Sequence, residues 1–156
     1  GVIQNGLFMA ARGLHVLALD ISEVGLRQGL ERARDRNLPV QAAVCNLRRL
    51  WLPAKHFDVI TNLLFLQRET LPLFKRALKP GGLLVFESFV ATRPEHERKA
   101  HYLQQGELLD WFEEYQILHH ARRDIHAGRV DEIRQTEQLV VRKPLLKDPD
   151  TNREAS

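Results

Sequence analysis

The stretch Leu14-His15-Val16-Leu17-Ala18-Leu19-Asp20-Ile21-Ser22 decides how this chain is read. It is apolar on both faces except at His15, and it has the length of a strand. Strands buried on both faces belong to parallel sheets covered by helices. The run ends in an acid, and a helix start follows at once. Ser22 is a good N-cap. Ile21 and Leu26 stand at the positions of a hydrophobic staple. Leu26, Leu30 and Ala33 then fall at i, i+4 and i+7, an inward stripe. Gly25 and Gly29, four apart, suit close packing on a sheet. Asn37 closes this helix, and Pro39 prevents its continuation. Upstream, residues 4–12 (QNGLFMAAR) read as a helix stopped by Gly13.

The same alternation continues downstream. Residues 40–46 (VQAAVCN) and 57–65 (FDVITNLLF) read as strands. Residues 69–82 read as a helix with Thr70 as cap, Pro72 tolerated in its first turn, and Pro80-Gly81-Gly82 as its stop. Residues 82–89 (GLLVFESF) are a fourth strand. Residues 91–105 are polar and irregular, and 106–115 form a short helix with Leu108, Leu109 and Phe112 inward. Residues 116–126 and 130–144 flank a short turn at 127–129, the spacing of an antiparallel hairpin. Residues 145–156 read as a polar tail behind a domain over 1–144. The expected fold is α/β: a Rossmann-like, doubly wound, mostly parallel sheet ending in an antiparallel hairpin.

The chain has 156 residues, the size of one domain. Its 44% hydrophobic and 28% charged residues are those of an ordinary globular mixture, which excludes collagen, coiled coil and general disorder. The net charge is +3, and its arginines are scattered. Arg32 and Arg36 share a helix face while Arg34 points away, so solvated faces rather than a nucleic-acid stripe are expected. Cys45 is the single cysteine, the usage of a reducing compartment. No apolar run has a membrane-spanning length, and no basic segment precedes an apolar run at the N-terminus. The cytoplasm is the expected location, with no membrane partner. No Cys/His pair has zinc spacing, so no metal is expected. The adjacent His119 and His120 on a strand point opposite ways. No nucleophile elbow and no phosphate-binding lysine loop occurs.

In open α/β sheets, ligands bind beyond the carboxyl ends of the strands. The informative residues are therefore Asp20, Asn46, Asn62 and Glu87–Phe89. A carboxylate at Asp20 can accept both hydroxyls of a ribose; it can equally be a helix-start charge favoured by the macrodipole. Asn46 offers a donor and an acceptor for an adenine edge, or is a turn residue before Leu47.

Several segments together resemble class I S-adenosylmethionine-dependent methyltransferases: residues 8–22 (FMAARGLHVLALDIS), 57–89 (FDVITNLLFLQRETLPLFKRALKPGGLLVFESF) and 103–118 (LQQGELLDWFEEYQIL). They are most similar to the small-molecule branch that includes tellurite-resistance-type proteins. The resemblance extends over the chain up to Pro144. It implies S-adenosylmethionine as cofactor and methyl transfer to a small-molecule nucleophile. It implies that Asp20 holds the cofactor ribose with Ile21 near the adenine, and that Asn46 and Leu47 contact the adenine. Many relatives carry Asp where Asn46 stands. Thr61, Asn62 and Leu63 would line the pocket near the methionine part. Arg68, in Leu66-Gln67-Arg68, would bind an anionic substrate or stand as a surface arginine near a helix start.

The chain departs from that pattern at its beginning. Family members carry a glycine-rich loop after a first strand, because the backbone approaches the cofactor closely there. Here the loop survives at most as Gly1-Val2-Ile3-Gln4-Asn5, with Ile3 where a second Gly is expected. The first, central strand is expected to be missing between the strands at 14–20 and 57–64. Gly1 is the remaining candidate of that loop. Three readings follow. One is a methyltransferase that works by holding nucleophile, methyl and sulfur in line, with no general base assigned. Another is a truncated or degenerate domain without catalysis, self-associating through its incomplete sheet. The third is a nicotinamide-binding dehydrogenase, which also uses an acid at this strand end.

Overall fold

The computed structural model describes residues 3–126 and 133–145. The expected turn at 127–129, Gly1 and most of the tail lie outside the described residues. The chain divides into two compact units at Trp51/Leu52.

The first unit is a βαβ crossover preceded by a helix. Helix α1 spans Gln4–Ala10 and strand β1 Val16–Asp20. Between them Gly13 turns the chain at φ 88°, the left-handed region where glycine carries no Cβ penalty. Helix α2 spans Glu23–Asp35, and Ser22 Oγ accepts the Gly25 amide at 3.2 Å as its N-cap. Leu26 and Ala33 are buried as the stripe requires, and Leu30 is half-buried. Gly29 lies against the Ile3 side chain, which a Cβ there would overlap. Asn37 adopts φ 52° just past the helix. Its amide bonds Arg34 O, and Leu38 N–H bonds Ala33 O, the double closure of a Schellman motif. Strand β2, Val40–Val44, pairs in parallel with β1, with Asp20 opposite Val44. A 3₁₀ turn at Leu47–Arg49 ends the unit's regular structure.

The second unit is a four-stranded sheet in the order β3-β4-β6-β5. Strand β3 is Phe57–Leu63 and β4 is Leu78–Phe89, parallel to each other and joined through helix α3, Leu71–Ala77. Short helices α4, Pro94–Glu97, and α5, Glu107–Trp111, follow. Strands β5, Gln116–His126, and β6, Ile133–Arg142, form the antiparallel pair, with β6 antiparallel to β4 as well. Parallel pairs followed by an antiparallel C-terminal pair make this the expected Rossmann-like α/β fold. One face of the sheet carries Leu84, Phe86, Leu139 and Val141, all buried. Leu71, Phe74, Leu108 and Phe112 from the helices are also buried.

Two local expectations change. The helix expected over 69–82 stops at Ala77, and Lys79-Pro80-Gly81-Gly82 is already strand. The residue before a proline favours extended backbone. The glycines are held there by pairing: Gly81 N–H bonds Lys143 O, and Lys143 N–H bonds Gly82 O. Thr70 does not cap α3; its hydroxyl turns back to Gln67 O at 2.7 Å. The last carbonyls of α3 are met from a distance, by Lys143 Nζ on Lys75 O and Leu78 O. Among the described residues, strands β1 and β3 each stand at one end of their sheet's order.

Candidate functional site

In the first unit, two strand ends bring Asp20 and Asn46 together. Cys45 N–H bonds Asp20 O at 2.9 Å, so the residue before Asn46 is tied to the last residue of β1. The Asp20 carboxylate is oriented by its own turn, with Oδ1 accepting the Ser22 amide at 2.9 Å. That amide holds the carboxyl below the ordinary aspartate value, against the opposing effect of partial burial. Burial and the nearby Asp20 charge push the Cys45 thiol up, which keeps it protonated and unreactive at neutral pH. Asn46 uses Oδ1 to accept the Arg48 amide at 3.0 Å, capping the 3₁₀ turn. Its Nδ2 group is not used in that cap. Ile21 is 71% exposed, an apolar side chain held in solvent at a strand end. Leu47 is half-buried.

In the second unit, the chain leaves β3 through a tight turn. Asn62 is buried, and its Nδ2 donates to Phe65 O at 2.7 Å. Leu64 takes φ 57°, which costs about 1–2 kcal/mol for a residue with a Cβ. The turn is held by Leu64 N–H on Glu87 O at 2.7 Å. Leu63 pairs with Glu87 in the β3–β4 register. The turn exposes Leu64 and Phe65. Asn62 thus shapes the strand end rather than presenting its amide to solvent.

Arg68 is committed inside the protein. Its Nε bonds Glu107 Oε1 at 2.5 Å and its Nη2 bonds Glu107 Oε2 at 2.8 Å, a fork-to-fork pair. Nη1 bonds Ala100 O at 2.7 Å and Nη2 also reaches Tyr102 O at 2.9 Å. Glu107 in turn accepts the Gln104 amide. The guanidinium, read as an anion ligand or a surface arginine, ties down the segment between β4 and α5 through these bonds. Tyr102 in that segment is buried, stacked on His96 with ring centroids 4.4 Å apart and packed against Phe89.

Neither Glu107 nor Glu137 stands out in the sequence, and Glu87 does so without its partners; all three are fixed by contacts distant in sequence. Glu87 accepts from Thr136 Oγ1 at 2.8 Å and pairs with Arg123 at 3.3 Å. Glu137 is fully buried on β6, bonded by His120 Nε2 at 2.7 Å and Arg122 Nη2 at 3.3 Å from the neighbouring strand. A buried carboxylate requires such partners. Only the alternation of β6 hinted at it, since Glu137 shares its face with Leu139 and Val141. Among the described residues no group of three or more His, Cys, Asp or Glu is placed to hold a metal ion.

A parallel strand–helix–strand unit with an acid at its first strand end is an arrangement shared with nucleotide-cofactor folds. Residues 4–82 match the methyltransferase domain family, and the chain belongs to it. It is 40% identical over 81 residues to a ubiquinone/menaquinone biosynthesis C-methyltransferase, UbiE, of Bordetella parapertussis, covering 48% of this chain and 31% of the relative. It is 34% identical over 103 residues to the corresponding UbiE of Shewanella oneidensis, covering 60% and 40%. The chain therefore spans about a third of the length of the first curated relatives it matches. Among solved structures, TehB from Haemophilus influenzae superposes with a TM-score of 0.75 at 17% identity, over 89% of this chain and 53% of that one. A SAM-dependent methyltransferase from Methanosarcina mazei superposes with a TM-score of 0.67 at 19% identity, over 89% and 86%. The fold is that of class I methyltransferases, and S-adenosylmethionine is the cofactor of this family.

Proposed function

We propose that the chain takes part in methyl transfer from S-adenosylmethionine to a small-molecule nucleophile. The observation that carries this reading is the strand-end pair: a carboxylate oriented by its own turn at Asp20, beside Asn46. It fits the adenosine part of the cofactor. Asp20 would accept the ribose hydroxyls, Ile21 would pack on the adenine, and Asn46 with Leu47 would contact the adenine edge. Asn62 and Leu63 would shape the methionine side, through the turn that Asn62 holds. Gly1 remains the candidate for the backbone approach to the cofactor. When bound, the cofactor supplies an electrophilic methyl group on a sulfonium sulfur.

The work of the chain's own residues is positioning. Collinear placement of nucleophile, methyl and sulfur needs no general base, and none is assigned. Arg68 would act by fixing residues 100–107 rather than by touching the acceptor. The reading includes no metal, nucleic-acid or membrane partner and places the protein in the cytoplasm. Among the described residues no helix is long and apolar enough to cross a membrane. Calorimetric titration with S-adenosylhomocysteine, repeated on Asp20→Ala, tests it. Saturable binding weakened at least tenfold by the substitution is expected; equal affinity in both would overturn the ribose assignment.

A second reading is a degenerate domain without catalysis that self-associates. What favours it is that, among the described residues, β1 and β3 each stand at an end of their sheet's order. Light scattering beside the titration separates the two readings. Oligomers that bind no S-adenosylhomocysteine support the second, and a monomer that binds it removes the second.

A further inference from the structure

A groove of about 230 Å³ runs between α2 and β2 within the first unit, with its Val44 end opposite Asp20 in the strand register. Its floor is apolar, formed by Leu26 and Leu30 of the helix and Ala42 and Val44 of the strand. Val44 is 55% exposed, so the floor opens to solvent at the strand. Arg27 and Arg34 stand along the helix wall, about 10 Å apart along its axis. Neither guanidinium makes a hydrogen bond or an ion pair among the described residues. Glu23 lines the groove at the N-terminal end of α2, so the groove is anion-seeking toward Arg34.

The strand beside the groove has one open edge. Among the described residues, strand β2 is bonded to β1 only. Pro39 O and the Cys45 amide both face β1, accepting from Val16 and donating to Asp20. Backbone groups of successive residues alternate sides, so those of Ala42 and Val44 point outward. The residues that floor the groove are thus the ones whose amides and carbonyls lack a strand partner.

We propose that this edge accepts an extended acidic segment of a partner protein by strand addition. The segment pairs its backbone with Ala42 and Val44. One apolar side chain enters the floor, and carboxylates two residues to either side reach Arg27 and Arg34. In a strand those carboxylates lie about 13 Å apart, within reach of two long arginine side chains. Backbone pairing gives affinity, and the arginines select acidic over basic segments.

The test uses a fluorescein-labelled peptide of sequence Glu-Thr-Leu-Thr-Glu, titrated into the full chain and read by anisotropy. Saturable binding is expected, weakened at least tenfold by Arg27→Glu with Arg34→Glu and lost when Lys replaces both peptide Glu residues. Ala42→Pro is expected to weaken it equally. Its missing amide faces outward, so β1–β2 pairing survives, as a circular dichroism spectrum checks. Slowed hydrogen exchange at the Ala42 and Val44 amides on adding peptide reports the same pairing in the unsubstituted chain. Absence of peptide binding, or binding that leaves those two amides unprotected, overturns the proposal. Binding of decanesulfonate that needs both arginines but ignores Ala42→Pro, without peptide binding, overturns it in favour of a small amphiphile.

Discussion

Arg68 and Glu107, 39 residues apart, form a two-bond pair that joins the end of the β3 turn to the start of α5. All four of the guanidinium's hydrogen bonds fall on residues 100–107, and the carboxylate also accepts the Gln104 amide. The pair is partly buried, with the arginine side chain 32% and the glutamate 15% exposed. It is therefore less screened than a surface ion pair.

Removing one partner leaves the other without its charge-assisted bonds. Arg68→Gln is expected to lower stability by about 2–3 kcal/mol, and Glu107→Gln by about 1–2 kcal/mol, because the amide keeps one acceptor. Urea unfolding measures both. Amides at 100–107 should exchange faster in Arg68→Gln than in the unsubstituted chain. Unchanged exchange there would remove the clamp from the account.

The same pair makes stability depend on acid pH. Burial alone raises the Glu107 carboxyl, but the Arg68 bonds and the Gln104 amide outweigh it and hold the group below its ordinary 4.5. A carboxylate depressed in the folded state contributes stability in full above its unfolded value. That contribution is lost as pH falls below 4.5 and through the folded value. Unfolding free energy measured from pH 6 down should therefore fall more steeply for the unsubstituted chain than for Glu107→Gln.

Asn46 separates a structural role from a ligand role. Asn46→Ala removes the Oδ1 cap on the Arg48 amide and is expected to cost about 0.5–1 kcal/mol. It should also weaken S-adenosylhomocysteine about tenfold, one hydrogen bond's worth. Asn46→Asp keeps an acceptor for Arg48 and is expected to retain the stability and most of the affinity. Loss of affinity in Asp but not in Ala would reverse the assignment.

Gly82 marks a close backbone approach. A Cβ there would lie 2.9 Å from Lys79 O and 3.2 Å from Asp58 O, both main-chain atoms that cannot swing away. Gly82→Ala is expected to destabilise by about 1–3 kcal/mol through backbone displacement. Gly13→Ala meets no neighbour within 4 Å and should cost only the strain of its left-handed φ, about 1–2 kcal/mol. A lowered thermal midpoint for both, larger for Gly82, is the expected ordering.

Local chemistry was legible where a residue acts on its own neighbours. Ser22 caps α2, Asn37 closes it, and Asp20 ends β1 because hydrogen bonds of two to five residues' range decide these features. The stop at Pro80-Gly81-Gly82 was read in kind but misplaced. The strand claims those residues through Lys143, far away in sequence. Arg68 was singled out by its motif, yet its partner lies 39 residues on, and nothing local to either residue pairs them.

The sequence by itself determined the order of helices and strands, both ends of α2, and the strand-end acid and amide, through periodicity and short-range hydrogen bonding; its resemblance to the methyltransferases rested on several segments taken together. Tertiary structure alone decided what each polar side chain meets. It joined Arg68 to residues 100–107, made Asn62 the lock of a strained turn, and set the buried Glu137 against His120 and Arg122. It also laid Arg34, read as solvated, together with Arg27 along an apolar groove beside a strand edge that is open among the described residues. The physical reason is that a charge's partner is set by which strands and loops the fold packs together, and that pairing is written in no single stretch of sequence.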